Sequence, residues 1–297
     1  TTMPVREAAT PRRETERQPG ERRLDWRQAA VYAALIALAT LFTIPFLWLI
    51  STSLKPPDQV FSDEWIPNVI AFDNYADVFR YAPVFRWLRN SFLVATLGAA
   101  SVVFSSALVA YGFARLRFRG RRVLFALVIG TYMIPTAVTM VPTFLIWNEL
   151  GAVGTYYPLW AGNLFGSAFY IFMLRQFFLT IPQDLVDAAR VDGAGYFRIF
   201  AGVLLPLLKP AMAAVAIFEF QAKGNDFMTP LIYLNKPAMY TMALGLGSFK
   251  SEYETQWALW MAASVIFTGP MILLFFLAQR FFIEGIATSG IKGQPWR

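Results

Sequence analysis

The chain has 297 residues, of which 57% are hydrophobic, and a formal net charge of +7. With a mean hydropathy of +0.46, this composition excludes an ordinary soluble domain and indicates a polytopic α-helical membrane protein. The sequence contains no cysteine and no histidine. That excludes a disulfide framework, a Cys/His zinc site and histidine-based catalysis within it.

The first 27 residues differ in character from the rest of the chain. Arginines alternate there with Glu, Pro, Gln and Thr, and almost nothing apolar is available to form a core. We therefore predict that 1–27 is a disordered basic tail and that 28–297 forms the membrane domain.

Apolar segments predict six membrane spans, since a bilayer core of about 30 Å needs roughly 20 helical residues. The predicted spans are 29–50, 91–113, 123–145, 157–178, 210–234 and 256–279. The fifth is the least obvious, because its apolar run Pro210–Gln221 must continue through Lys223, Asn225 and Asp226 to cross. Prolines inside the spans predict kinks, which neighbouring helices can accommodate.

Basic residues predict the orientation of these spans. Of the 26 Lys and Arg, 19 lie in the tail and in the segments that share its side of the membrane. Positive charge accumulates on the cytoplasmic side, so both termini are predicted to be cytoplasmic.

Two other features of the sequence are weaker indications of structure. The segment Asn74–Phe79 has the pattern of a short amphipathic helix between the first two spans. The second span is rich in small residues, including Gly98, Ser105 and Ser106, which favours close helix packing over a role in ligand binding.

The cytoplasmic segment 180–206 is the most informative part of the sequence. Thr180 is placed to cap a helix, Gln183 to complete a capping box, and Gly193 to end the helix with a positive φ. Taken alone, this pattern favours an amphipathic connector on the membrane surface over a docking element.

The spacing in this segment resembles a known signature. Asp187-Ala188-Ala189 is followed after three residues by Gly193, and after nine more by Val203-Leu204-Leu205-Pro206. The cytoplasmic signature of ABC importer permeases is E-A-A-x3-G-x9-I-x-L-P. Both gaps match, with Asp for Glu and Val for Ile as conservative departures.

The resemblance covers nearly the whole chain from about residue 30 and is to the maltose-type branch that supplies the second permease of carbohydrate importers. Further matching segments are Asn90-Ser91, Ala110–Gly120, Met133–Pro135, Asn225-Asp226 and Thr288–Gly293. One residue departs from the branch pattern, because Gly224 stands before Asn225 where Trp is usual.

The resemblance implies an all-α type I importer permease fold with six transmembrane helices, and a non-catalytic role. It further implies that a coupling helix in 180–206 contacts a separate ATPase. The residues it assigns to this contact are Asp187, Ala188, Ala189, Arg190, Asp192, Gly193, Leu205 and Pro206.

The implied partners are a homologous permease, two ATPase subunits, an extracellular solute-binding protein and a carbohydrate, in a bacterial or archaeal plasma membrane. No G-x4-G-K-S/T motif occurs in the sequence, so no P-loop is present and ATP and Mg²⁺ are expected on the ATPase partner.

Charged residues inside the fifth span form a second candidate site. Glu219, Lys223 and Asp226 follow at i, i+4 and i+7, which predicts one shared helix face. Ionisable groups near the bilayer midplane are candidates for function, although a structural Glu219–Lys223 ion pair is an equal alternative. The candidate translocation-path residues are Glu219, Phe220, Lys223, Asn225, Asp226 and Asn163, with Ser167 a weaker candidate.

Two other functions remain open from the residues. An ion-coupled secondary transporter could use the charged face of the fifth span, although no internal repeat supports it. A membrane scaffold could use the 180–206 segment only to recruit a cytoplasmic partner.

Overall fold

The computed structural model describes residues 26–249 and 256–290, with side chains described as far as Leu277. Nearly all of the predicted tail, and the end of the Thr288–Gly293 segment, lie outside the described residues. Within these ranges every regular element is helical. The helices are α1 (Trp26–Ser53), α2 (Asp73–Tyr81), α3 (Val84–Arg115), α4 (Arg121–Tyr132), α5 (Thr136–Glu149), α6 (Tyr157–Trp160), α7 (Ala168–Thr180), α8 (Gln183–Val191), α9 (Tyr196–Arg198), α10 (Leu205–Leu207), α11 (Lys209–Gly224), α12 (Met228–Tyr233), α13 (Met242–Ser248) and α14 (Trp257–Gly290).

Three helices in the described ranges, α1, α3 and α14, are individually long and apolar enough to cross a membrane. Three bent helix pairs raise the number to six if each pair is one span. The predicted amphipathic helix near Asn74 is confirmed as α2. The exact limits of each span, and the side on which the termini lie, remain predictions.

Prolines and polar residues break several helices that the sequence suggested were continuous. The third predicted span bends by 98° between α4 and α5, where Pro135 lacks the N–H needed to continue the helix. In the fourth, the 3₁₀ turn Ala161–Phe165 and Gly166, at φ +81°, separate α6 from α7. This second break was not predicted from the sequence.

The prediction that the fifth span continues helically through Asn225 and Asp226 is wrong. Helix α11 ends at Gly224, and Asp226 Oδ1 accepts a hydrogen bond from the Thr229 backbone N–H at 3.1 Å. That bond lies at the start of α12, so Asp226 acts as a helix cap and not as a helix interior residue.

Helix α3 organises the fold around it, with α11 and α7 packed along its length. Near its N-terminal end the Asn90 side-chain amide donates to Ala238 O at 3.1 Å and Tyr240 O at 3.0 Å. The Ser91 hydroxyl accepts the Met242 backbone N–H at 2.7 Å. These bonds fix the entry to α13 against α3.

The connection between α1 and α2 is tied down by buried polar groups. Lys55 is fully buried, and its Nζ donates to Ser62 O at 3.1 Å and lies 4.5 Å from the centre of the Trp48 ring. Asn74 donates to Ser53 O and Lys55 O at 2.9 and 2.8 Å. A buried ammonium is tolerated here because a carbonyl and an aromatic face replace part of its hydration.

The contact between α13 and α3 depends on a glycine. A Cβ added at Gly245 would lie 2.1 Å from Trp87 Cε3, and the indole cannot retreat easily because it is 3% exposed and donates to Pro237 O at 2.8 Å. We expect Gly245→Ala to destabilise the protein by about 1–3 kcal/mol through overpacking.

Thermal unfolding of the detergent-purified protein measures this effect. Gly112→Ala is the matched control, since nothing lies within 4 Å of its added Cβ and alanine favours the helix. Equal melting temperatures for the two variants would contradict the packing described for Trp87.

Candidate coupling loop and buried polar cluster

The coupling loop, residues 180–206, begins with a sharp corner. Helix α8 lies at 75° to the helical segment ending at Thr180, and Ile181 and Pro182 form the corner with extended backbone. The predicted cap is wrong, because Thr180 is the last residue of α7 and its hydroxyl donates to Phe177 O at 2.8 Å. Proline at the start of α8 suits a helix that begins without a side-chain cap.

The end of α8 is built as the sequence predicted. Gly193 has φ +78°, and the N–H groups of Gly193 and Ala194 donate to Arg190 O at 3.0 Å and Ala189 O at 2.9 Å. This arrangement satisfies carbonyl groups at the helix end and requires a left-handed backbone conformation at position 193, which glycine adopts readily. Helix α8 is therefore a rigid rod of nine residues.

Helix α8 buries one side and exposes another. Val186 is 1% exposed and packs in the core, whereas Leu185, Ala188 and Val191 are exposed. Val191 is the extreme case at 88%. Leu185 and Val191 therefore lie outside the core that contains Val186.

Arg115, at the end of α3, ties this corner to the central helix. Its Nη1 donates to Gln183 Oε1 at 2.7 Å, and its Nη2 donates to Ile181 O at 2.6 Å and also to Phe178 O. These carbonyls lie at the end of α7, where backbone acceptors lack helical partners. From the sequence, Arg115 was only one of the basic residues that predict orientation; its place in the matching Ala110–Gly120 segment is the signal that could have revealed its role.

Further contacts fasten the loop to α3. The Tyr111 hydroxyl donates to Tyr196 O at 3.0 Å, and its ring lies 5.1 Å from that of Phe200. Within the loop itself, Asp187 Oδ1 accepts hydrogen bonds from the Gln183 side chain at 3.1 Å and the Arg190 side chain at 3.3 Å. The loop is thus held to α3 at two points, one on each side of Gly193.

The remaining signature residues have distinct positions. Ala189 and Leu205 are half-buried and pack against the core that contains Val186. Asp192 and Pro206 are exposed, and Asp192 closes α8 through its N–H, which donates to Ala188 O at 3.0 Å.

A buried polar cluster lies where α3, the 3₁₀ turn and α11 meet, and comprises Gly98, Asn163, Glu219 and Lys223. Asn163 Nδ2 donates to Glu219 Oε1 at 2.5 Å and to Gly98 O at 3.1 Å. Glu219 is 8% exposed, and Lys223 Nζ lies 4.0 Å from its Oε1. The hydrogen bond from Asn163 to Glu219 is therefore shorter than the Glu219–Lys223 ion pair, which the sequence offered as a structural alternative.

Small residues on α3 make this cluster possible. A Cβ at Gly98 would approach Lys223 Cγ to 3.1 Å and Asn163 Nδ2 to 3.3 Å. Ser105 donates to Asn163 O at 2.8 Å, and Ser106 accepts the Ser167 N–H at 3.1 Å. The serines thus satisfy backbone groups that the broken helix leaves free.

The other predicted path residues do not join the cluster. Asp226 caps α12, Asn225 is exposed at the end of α11, and Phe220 pairs with Phe92 at 5.6 Å. The prediction of one charged face is therefore wrong for Asp226, because α11 ends before it. At Gly224, an added Cβ would meet Met271 Cε at 2.6 Å, so Met271 occupies space that a larger residue would need.

Comparison with known proteins agrees with this architecture. The sequence model of the family "Binding-protein-dependent transport system inner membrane component" matches residues 103–287. The chain is 33% identical over 261 residues to the arabinooligosaccharides transport system permease protein AraQ of Bacillus subtilis, covering 86% of this chain and 92% of that protein. It is 30% identical to the lactose transport system permease protein LacG of Rhizobium radiobacter, covering 87% and 94%.

A solved structure shares the fold. A chain from a bacterial ABC transporter involved in the import of the acidic polysaccharide alginate superposes with a TM-score of 0.74 at 23% identity, covering 89% of this chain and 100% of that chain. The predicted all-α importer permease fold is confirmed. The chain is a multi-pass membrane protein and belongs to the family of inner membrane components of binding-protein-dependent transport systems.

Proposed function

We propose that this permease subunit forms half of the translocation path of an ATP-driven carbohydrate importer. Relatives named for arabinooligosaccharides, lactose and melibiose/raffinose/stachyose support a carbohydrate as the solute. The importer includes a homologous permease, two ATPase subunits that bind ATP and Mg²⁺, and an extracellular solute-binding protein. It resides in a bacterial or archaeal plasma membrane, with both termini of this chain cytoplasmic.

The exposed side of α8 is the observation that carries this proposal. Leu185, Ala188 and Val191 present an apolar stripe to the cytoplasm, and the charged groups of Asp187 and Arg190 lie half-exposed beside it. An apolar centre with a polar rim is the usual composition of a protein interface. Helix α8 has nine residues, and the small side chain of Ala188 near its middle would allow a partner surface to approach closely.

Movement of this rod reaches the membrane segments through α3. Arg115 and Tyr111 fasten the loop on both sides of Gly193 to one helix. Closure of the ATPase pair on ATP would displace α8, and α3 would tilt with it. This is alternating access by rigid-body motion.

The polar cluster is the candidate contact with the solute. Asn163, Glu219 and Lys223 supply hydrogen-bonding groups of the kind that hydroxyl-rich solutes need. Asp226 is assigned instead to capping α12. An ion-coupled transporter is less well supported, because Asp226 does not share the helix face of Glu219 and Lys223. A scaffold without a transport role does not agree with membership of a transport-system family.

The first prediction from this proposed function concerns Gly193. We expect Gly193→Pro to leave ATP hydrolysis intact but abolish uptake, because proline is fixed at φ of about −65° and cannot adopt +78°. The complete importer in proteoliposomes gives both rates from one preparation. Gly195→Ala is the control, since Gly195 has φ −71° and open space at its Cβ. Normal uptake by the proline variant would refute the coupling role.

A second prediction tests the Arg115 link. Arg115→Gln removes charge-assisted bonds worth about 1.5–3 kcal/mol each, so we expect uptake per ATP hydrolysed to fall at least about tenfold. Arg86→Gln removes an exposed arginine from the opposite end of α3 and should keep the normal ratio. A parallel loss of uptake and ATPase activity in Arg115→Gln would indicate misassembly instead of uncoupling.

The third prediction concerns Glu219. Glu219→Gln keeps an oxygen acceptor for Asn163 but leaves the Lys223 charge without its partner. We expect a folded importer with near-normal ATP hydrolysis and a raised KM for the transported sugar. Asp226→Asn, which keeps the cap of α12, should leave KM unchanged. If both variants show the wild-type KM, Glu219 is structural only.

A further inference from the structure

A dense group of arginines joins α3 to α4. We call residues 117–122 the basic turn, which contains Arg117, Arg119, Arg121 and Arg122. Arg121 donates to Leu116 O at 3.1 Å. In the described chain the side chains of the other three make no hydrogen bond or ion pair, and all three are exposed. Their charges are therefore available to a ligand.

The basic turn lines an open cleft. The cleft has a volume of about 520 Å³ and is lined by Arg117, Arg121 and Arg122 together with Phe118 and Val123. It thus combines three guanidinium groups with an apolar floor. Arginine binds phosphate oxygens with paired hydrogen bonds, which favours a phosphate-bearing occupant.

Apolar surface continues from this cleft along α4. Val123, Leu124 and Leu127 are 65%, 48% and 62% exposed and follow the arginines directly. In a membrane protein such a face contacts acyl chains. An occupant that uses both parts carries a negative phosphate and a hydrocarbon tail, whereas a free phosphate or a carboxylate uses only the first part.

We propose that the basic turn binds the phosphate of an anionic glycerophospholipid, whose acyl chains lie along the exposed face of α4. Arginine clusters beside a membrane helix attract anionic lipid at the bilayer surface. The proposal does not depend on which solute is transported.

This lipid site adjoins the coupling loop. Arg117 and Arg121 also line a second cleft, of about 680 Å³, whose other walls include Arg115, Gln183 and Arg190. A bound phosphate offsets repulsion among these arginines. Anionic lipid should therefore steady the position of α8 as well as occupy the basic turn.

The test counts lipids on the complete importer. The complex with all partner subunits is purified in mild detergent, titrated with phosphatidylglycerol or phosphatidylcholine, and examined by native mass spectrometry. The test variant is Arg117→Gln with Arg122→Gln, neither of which removes an internal bond. The control is Arg86→Gln with Arg89→Gln, which removes the same charge from exposed positions near the outer end of α3.

We expect a loss of roughly fivefold in phosphatidylglycerol affinity per arginine, about 25-fold for the test pair. The control should match wild type, and phosphatidylcholine binding should not change. Millimolar inorganic phosphate should leave the lipid bound, because it offers no acyl chain.

Three results would overturn the proposal. Equal lipid affinity in test and control variants would show that the basic turn is not the site. Displacement by inorganic phosphate would assign the cleft to free phosphate. Loss of the ATPase subunit from the test variant, with lipid affinity unchanged, would make the basic turn a protein contact.

Discussion

The structure depends on α3 as a common support for parts of the chain that are distant in sequence. This helix has 32 residues, about 48 Å at 1.5 Å per residue. Asn90 and Ser91 hold the segment before α13 at one end, Ser105 holds the Asn163 turn in the middle, and Arg115 holds the coupling loop at the other end. Polar contacts near both ends and near the middle of α3 therefore connect it to three separate parts of the chain.

The same arrangement explains why small and polar residues occupy a membrane helix. Gly98 allows Lys223 and Asn163 to approach closely, and Ser105 and Ser106 satisfy backbone groups around a broken helix. Without water in the bilayer core, irregular backbone is stable only where protein groups replace it as partners. The broken fourth span therefore requires this face of α3, and the polar cluster is assembled at that contact.

The sequence predicted elements defined by local patterns and missed those defined by contacts. Gly193 and the end of α8 follow from short-range signals, and the apolar runs located the long helices. The break at Ala161–Phe165 was not predictable, because its stability comes from Ser105 and Glu219, more than 50 residues away in either direction. Asp226 was misassigned because helical periodicity was extended past the end of α11. Arg115 was recognised only as a charge, since its partners come from a different helix.

The bonds from Arg115 and Tyr111 to residues on both sides of Gly193 imply that the proposed coupling loop and α3 move as one body. In the complete importer, spin labels at Val191 and Leu93, both exposed, would report the distance from α8 to the N-terminal half of α3. The native sequence has no cysteine to remove before labelling. With closure of the ATPase pair verified by labels on those subunits, the account predicts the same Val191–Leu93 distance with and without ATP. A new distance upon ATP binding would show that α8 moves independently of α3 and would contradict it.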